Sequence, residues 1–459
     1  MQPAPPAAVA SSAEEQLAGR ILMSSHAMET LTELVTLHPS RVTGSKGHDA
    51  AATWAVEAFK KAGIARARVE PFTMAHGWER REAKASVAAP HARTLHATAA
   101  GWFPPTTPEG VHAELVHPSE LTEAAVKKGA ARIKGKLVLL DAANKKKGWA
   151  TSLAALRDAG AVGLVNALPL PDQAPFAHSA WFASDLVGPL PMVDVGAEDG
   201  ELLVRWLAEG PVTLDVVSTS PVTGAVQVPN VVAEIRGREH PEEWVMLGAH
   251  LDAWDFGEGA QDDGTGVAEV LEAARAIQAL GTPPRRSIRF ALFGGEEQGA
   301  LGSRAYADAH AHELDRATLV VVSDSGAGQP RGFLTGRDDL VKGLAPLTRG
   351  LAGLGGAALS PTFECGQDDC PFALLGVPAI SFECDEAKYP DIHHRAADTL
   401  GKVVPAHVVQ ATAILALTAW AAAELPRRLA PRATHADIAE RLKRAGMYDA
   451  LVFQRRFTP

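Results

Sequence analysis

The order of strand-like and helix-like segments predicts an α/β protein: a mostly parallel, mixed sheet flanked by helices, interrupted by an inserted β-rich domain. Three observations carry this. From Val226 onward, apolar strand-like runs alternate with helical periodicity, the pattern of helices packed on a largely parallel sheet. Between about Thr106 and Val222 the texture changes to short β-rich runs with prolines at 169, 171, 175, 189 and 191. Finally, 459 residues exceed what one hydrophobic core usually organises. The expected division is one domain from residues 13–105 and 223–425, an insert at 106–222, and a helical tail at 426–459.

Glu14 to Leu37 carries apolar residues at helical intervals, and His48 to Ala62 forms a second helix ending at Gly63, a natural C-cap. Strand-like runs follow near 67–72 and 83–88. Within the insert, strands are expected at 111–116, 136–140, 162–165, 192–195 and 212–217, and helices near 151–159 and 199–208. The second part of the main domain reads as strands at 228–235, 244–249, 287–293, 319–323 and 379–382, with helices at 265–280 and 403–425. The last helix is the most apolar segment, but His407, Gln410, Thr412 and Thr418 interrupt it, so it reads as packed on the sheet rather than spanning a membrane. The tail contains one further helix, 435–451, and ends in Phe453-Gln-Arg-Arg-Phe457. Its apolar residues are expected either to dock on the main domain or to form a homodimer contact.

Hydrophobic residues at 46% and charged residues at 21% describe an ordinary globular protein. A net charge of −10 disfavours nucleic acid or an anionic membrane as partner. Three cysteines, Cys365, Cys370 and Cys384, are too few for a disulfide framework and lack the paired spacing of a structural zinc site. One bridge, Cys365 to Cys370, and three reduced thiols remain alternatives. The first residues have neither a basic n-region nor an apolar h-region. They read as a mature N-terminus from which a signal peptide has gone, which implies a secreted or periplasmic setting.

In open α/β sheets, ligands bind beyond the carboxyl ends of the strands. Five segments supply metal-ligating side chains there: Gly-Ala-His250-Leu-Asp252, Gln261-Asp262-Asp263-Gly, Gly-Gly-Glu296-Glu297, Val-Ser-Asp324-Ser-Gly and His393-His394-Arg-Ala-Ala-Asp398. Each alone is weak, because a carboxylate at a strand end is commonly a cap or a charge at the positive end of a helix. Five in one unit are harder to dismiss. Zinc takes imidazole and carboxylate and leaves a position open for water in a catalytic site. Two zinc ions sharing a bridging carboxylate need two histidines and three carboxylates. His250, Asp262, Glu297, Asp324 and one histidine of the pair 393–394 meet that count. Glu296, left over beside a ligand, is free to act as general base. Asp252 is placed to orient His250, and Asp398 the other histidine.

These segments resemble the metal-binding stretches of the co-catalytic zinc aminopeptidase and glutamate carboxypeptidase family. The likeness runs in order through Ala-His250-Leu-Asp, Gln-Asp262-Asp-Gly-Thr-Gly, Phe-Gly-Gly-Glu296-Glu297, Ser-Asp324-Ser-Gly and His-His394-Arg-Ala-Ala-Asp398-Thr. It implies a zinc exopeptidase fold with two zinc ions and Asp262 as the bridge. His250 and Asp324 then complete one site and Glu297 and His394 the other, with Glu296 as base. It further implies a cis peptide before Asp263 and a role for Tyr389 in stabilising the tetrahedral intermediate. The insert, with Gly-Lys-Leu-Val-Leu-Leu and Leu-Arg-Asp-Ala-Gly-Ala-Val-Gly-Leu-Val, resembles a protease-associated domain. The chain departs from the family in Gly-Gln-Asp368-Asp369-Cys-Pro-Phe, where many members carry Ser-Asp-His; this loop is expected to line the pocket.

The expected substrates are dipeptides or short peptides with free termini, with a general aminopeptidase or a catalytically silent binding protein as alternatives. A silent relative would have lost ligands, whereas all five and the base are present. A free carboxylate needs a donor, and Arg304, Arg337 and Arg395 are the candidates.

Overall fold

Runs of β-branched and apolar residues buried on both faces build the centre of the first sheet. Leu247 to Ala249, Val320 to Val322 and Ala379 to Phe382 are all sealed from water, as parallel strands covered by helices on both sides must be. The computed structural model describes residues 12–145, 149–171, 173–180, 187–386 and 388–459. The opening stretch read as a mature N-terminus lies almost wholly outside them.

The first sheet has eight strands in the spatial order Ala67–Met74, Val226–Ile235, Arg286–Phe293, His240–His250, Ala317–Ser323, Ala379–Cys384, Pro330–Leu334 and Ala358–Ser360. The four central strands run parallel; Ala67–Met74 and Val226–Ile235 close one side antiparallel, and Pro330–Leu334 turns antiparallel on the other. One face is covered by the helices Ala13–Ser24, Lys46–Lys61, Thr265–Gln278 and Pro405–Glu424, which share one core with the sheet. Helix Pro405–Glu424 is long and apolar enough to cross a membrane, yet most of it is buried in this core. Leu301–Ala309 and Cys370–Leu374 pack on the opposite face, where Phe293, Tyr306 and Phe372 meet.

The second sheet also has eight strands, in the order Arg93–Leu95, Ala83–Ala89, Thr213–Ser218, Val111–Val116, Leu137–Leu140, Gly163–Ala167, Met192–Val195 and Ala97–Ala99. Three of these precede Thr106. They were expected with the main domain, but they pair here, Ala83–Ala89 antiparallel to Thr213–Ser218. A boundary read from a proline-rich change of texture misses them, because small-residue strands carry no such mark. Two single helices in the sequence reading are pairs. Glu14–Leu37 breaks near Ser25 into Ala13–Ser24 and Ala27–Leu37, and the tail helix breaks at Gly446 (φ +70°) into His435–Arg444 and Tyr448–Phe453.

Arg41, fully buried, ties the N-terminal segment to the loops that follow His250. Its Nε donates to the Leu251 carbonyl (2.8 Å), Nη1 to those of His38 (3.0 Å) and Glu258 (3.1 Å), and Nη2 to that of Gly259 (2.8 Å). Burial pushes the guanidinium down to about 10, which still leaves it charged at neutral pH. Bonds from a charged donor to buried carbonyls are the stronger kind, and removing the donor leaves the acceptors unsatisfied. Arg41→Met is expected to destabilise the fold by at least ~3 kcal/mol, read as a lowered midpoint in urea at unchanged slope. A loss below ~1 kcal/mol would show that these bonds do not hold the loop.

Candidate metal centre

His250 is the last residue of the strand His240–His250, and Asp324 follows directly on Ala317–Ser323. Glu296 and Glu297 follow the turn Gly294-Gly295 after Arg286–Phe293. A turn at Gly295 (φ +75°) favours a residue without Cβ, and the Glu296 N–H just beyond it meets the Asp252 carboxylate. Asp262 lies in the segment Ala260–Gly264 that opens helix Thr265–Gln278, and the Asp262–Asp263 peptide is cis, as the resemblance implied. His394 stands in a loop with φ +57°, a strained conformation for a non-glycine residue of the kind that gathers at functional sites.

The five expected ligands converge. Asp262 Oδ1 lies 3.2 Å from His250 Nε2, which is itself 3.5 Å from Asp324 Oδ1. Asp262 Oδ2 lies 3.5 Å from His394 Nε2, and His394 Nε2 is 2.7 Å from Glu297 Oε2. The two oxygens of one carboxylate thus face two separate histidine–carboxylate pairs. His393 Nε2 is also within reach of Asp262, at 3.8 Å, but its ring is more exposed and packs on Tyr389. His394 has what a ligating imidazole ordinarily has, a partner on its other nitrogen: Nδ1–H donates to the Ala177 carbonyl at 2.9 Å. His250 is held the same way, its Nδ1–H donating to the Asp252 carbonyl at 2.9 Å. Both imidazoles therefore present an Nε2 lone pair to the site.

Two expected partners act differently from the sequence reading. The Asp252 carboxylate stays 3.7 Å from His250 Nδ1 and instead accepts from Thr43 Oγ1 (2.6 Å) and the Glu296 N–H (3.3 Å). Asp398 does not orient a histidine; it accepts the backbone N–H groups of Gln261 (2.8 Å) and Asp262 (3.1 Å). The Asp263 carboxylate bonds the N–H groups of His250 and Gly266. A spacing of four residues in the sequence cannot distinguish a carboxylate that grips a ring from one that grips a backbone.

The residues fit a metal. His250 Nε2, Asp262 Oδ2 and Glu297 Oε1 are shielded from water and have no hydrogen-bond partner among the described residues. Burial raises the Glu296 and Glu297 carboxyls well above their usual range, reinforced by the charges of Asp324 and Asp262 respectively. So many buried carboxylates are compatible only with cationic compensation or with protonation.

Of the three candidate arginines, Arg337 is bound internally, to Asp339 and to the Gly376 and Pro431 carbonyls. Arg395 flanks His394 at a small cavity with Trp254, Asp262 and Asp398. Arg304 stands near Arg456, a tail residue that no motif marks. Other contributors absent from the sequence reading belong to the second-sheet segment: Ala177, Ser179, whose Oγ–H reaches the Glu297 carbonyl at 3.2 Å, and Phe176, whose ring lies tilted against that of His394 with centroids 5.2 Å apart. No motif marks a backbone carbonyl donated from a distant loop.

An arrangement of this kind defines a metal-dependent hydrolase, and comparison with known proteins makes the class specific. Residues 230–419 match peptidase family M28. Carboxypeptidase Q of Xenopus laevis is 30% identical over 414 residues, covering 87% of this chain and 86% of that protein, and the human protein of the same name is 28% identical over similar shares. Among solved structures, a peptidase M28 precursor from Shewanella amazonensis superposes with a TM-score of 0.82 at 30% identity, covering 92% of this chain and 98% of the other. A zinc aminopeptidase from Bacillus subtilis shares the fold at 22% identity, with a TM-score of 0.70 over 89% of this chain and 97% of that one. The chain belongs to peptidase family M28, and it is a zinc metallo-exopeptidase.

Changing His394 to Ala is expected to weaken zinc retention by more than the ~10–100-fold that follows from disturbing only a ligand's outer partner. His393→Ala should retain zinc nearly as the parent does. Competition with a metal-buffering chelator reads both; the opposite order would move the ligand to His393.

Proposed function

We propose that the enzyme hydrolyses dipeptides or short peptides with free termini, using two zinc ions and Glu296 as general base. The observation that carries this reading is the division of the Asp262 carboxylate between the two histidine–carboxylate pairs. His250, Asp324 and one Asp262 oxygen would hold the first ion, and Glu297, His394 and the other oxygen the second. When bound, the zinc pair would supply Lewis acidity that lowers the pKa of a water and polarises the scissile carbonyl.

The remaining work falls to the chain. Asp252 fixes the Glu296 backbone and so sets where that carboxylate stands relative to the ligands. Glu296 takes a proton from the attacking water and returns it to the leaving amine. Tyr389, half-buried beside His393 with its hydroxyl held well above its ordinary value by desolvation and the Asp262 charge, keeps its proton. It is suited to donate a hydrogen bond to the developing oxyanion. The second sheet, read as a protease-associated insert, closes one side of the site through Phe176 to Ser179. The Cys365–Cys370 disulfide supports a secreted or periplasmic setting.

Glu296→Gln tests the assignment. It is expected to retain both ions while losing ~10²–10⁴-fold in kcat, whereas Glu297→Gln should lose metal as well. Parental activity in Glu296→Gln would assign the proton transfer elsewhere. With the parent, N-acetylated peptides cleaved as fast as free ones would point to a carboxypeptidase instead, and trimming of long peptides from the N-terminus to a general aminopeptidase.

A further inference from the structure

The C-terminal tail docks on the loop that carries the departure from the family pattern. Leu451 and Phe457 are buried against Cys365, Cys370 and Leu374, together with Ile438 and Leu442 of the preceding helix. Phe457 stacks on His435 with ring centroids 4.6 Å apart and planes 11° from parallel. The Arg456 and Phe457 N–H groups both return to the Leu451 carbonyl, at 2.8 and 3.2 Å, so the last turn is closed. Residues 365–370 in turn reach the metal centre, since Gln367 Nε2 donates to the Asp324 carbonyl at 2.6 Å. The tail is thus two contacts removed from a zinc ligand.

Arg456 is directed inward from this turn. Its Nη1 donates to the Cys365 carbonyl at 3.3 Å. Its Nε and Nη2 are shielded from solvent yet have no hydrogen-bond partner among the described residues. These two nitrogens form one edge of the guanidinium, the fork that matches the two oxygens of a carboxylate. The same edge grips Glu272 from Arg275 at 2.6 and 2.7 Å, and Asp339 from Arg337 at 3.0 and 2.7 Å. Among the described residues, Arg456 alone has both fork nitrogens shielded and unpartnered; Arg395 has only Nε in that state. The neighbouring carboxylates do not take the fork: Asp368 Oδ1 accepts from Ser303 Oγ while its Oδ2 is itself shielded and without a partner among the described residues, and Asp369 is engaged by backbone N–H groups. The charges that reach Arg456 are those of Glu296, Asp368 and Asp369, and Arg304 stands close enough to repel it. Two shielded guanidinium N–H groups left unmatched are costly unless an anion meets them.

We propose that Arg456 binds the α-carboxylate at the C-terminal end of the substrate through its Nε–Nη2 fork, with Arg304 adding positive potential, so that the tail makes the enzyme select peptides with a free carboxyl end. This rests on the peptidase reading above and deepens it. The general base Glu296 lies within the reach of the same cation, so a peptide held there keeps its last residue on the leaving-group side of the attacked bond.

The test compares kcat/KM for an unblocked dipeptide and its C-terminal amide in the zinc-loaded parent, Arg456→Gln, Arg456→Lys and Arg455→Gln, an exposed neighbour in the same turn. Melting temperatures are taken alongside, and binding of both peptides is measured by calorimetry on the Glu296→Gln protein with and without Arg456→Gln. The parent should prefer the free acid by ~5- to 150-fold, the range of a buried charged group losing its partner. Arg456→Gln should lower efficiency on the free acid by that factor and leave the amide within about twofold, with Arg456→Lys intermediate and Arg455→Gln parental. A free-acid preference that survives in a normally folded Arg456→Gln overturns the assignment, as does an equal fall on both peptides, which would make the tail merely structural. A parent indifferent to amidation overturns it too, while leaving the zinc exopeptidase intact. If the parent cleaves neither peptide, the dipeptide reading has failed and calorimetry decides: the assignment stands only if binding favours the acid and Arg456→Gln abolishes the difference.

Discussion

Asp262 is the residue on which the site depends. A carboxylate can serve two histidine–carboxylate pairs only if its two oxygens are held apart from one another's partners. Here Oδ1 faces His250 and Oδ2 faces His394. That orientation is set by backbone rather than by the side chain's own preference. Asp398 grips the N–H groups of Gln261 and Asp262, and Arg41 holds the carbonyls of Leu251, Glu258 and Gly259 around them. Both anchors are sealed from water, where a hydrogen bond is electrostatically stronger and an unpaired group costs more. The loop's backbone is therefore fixed, while Asp262 Oδ2 stays without a hydrogen-bond partner among the described residues, turned to where a metal would meet it.

The second sheet takes part in the same constraint. Its loop donates the Ala177 carbonyl to His394 Nδ1, places Ser179 against the Glu297 backbone and sets Phe176 beside the His394 ring. The pair His394 and Glu297 is thus supported from outside the main sheet, whereas His250 and Asp324 are fixed by the ends of adjacent parallel strands. One half of the centre rests on the core of the α/β domain and the other on the contact between the two sheets. The tail adds a third support through residues 365–370.

Much of this was legible in the sequence. Strands buried on both faces advertise themselves as apolar runs, so His240–His250 and Ala317–Ser323 were found along with the residues that end them. His250, Asp324 and the Glu296-Glu297 pair stand at strand ends that periodicity marks, and a resemblance in motif adds Asp262 and His394, whose side chains converge with them. What escaped was of three kinds. Small-residue strands such as Ala83–Ala89 carry no strong pattern, and their pairing with Thr213–Ser218 depends on tertiary context. Short breaks such as Gly446 interrupt a continuous helical period. Backbone donors, such as the Ala177 carbonyl, have no side-chain signature. Asp398 shows the limit well: its place near the centre was expected, but not that its carboxylate would bind backbone.

The central claim is that the divided Asp262 carboxylate holds two metals at once. Elemental analysis of the purified, fully active enzyme measures this directly, as moles of zinc per mole of chain against activity while the metal is removed stepwise. The account predicts about two zinc ions per chain at full activity. Full activity with a single tightly held ion per chain would contradict it.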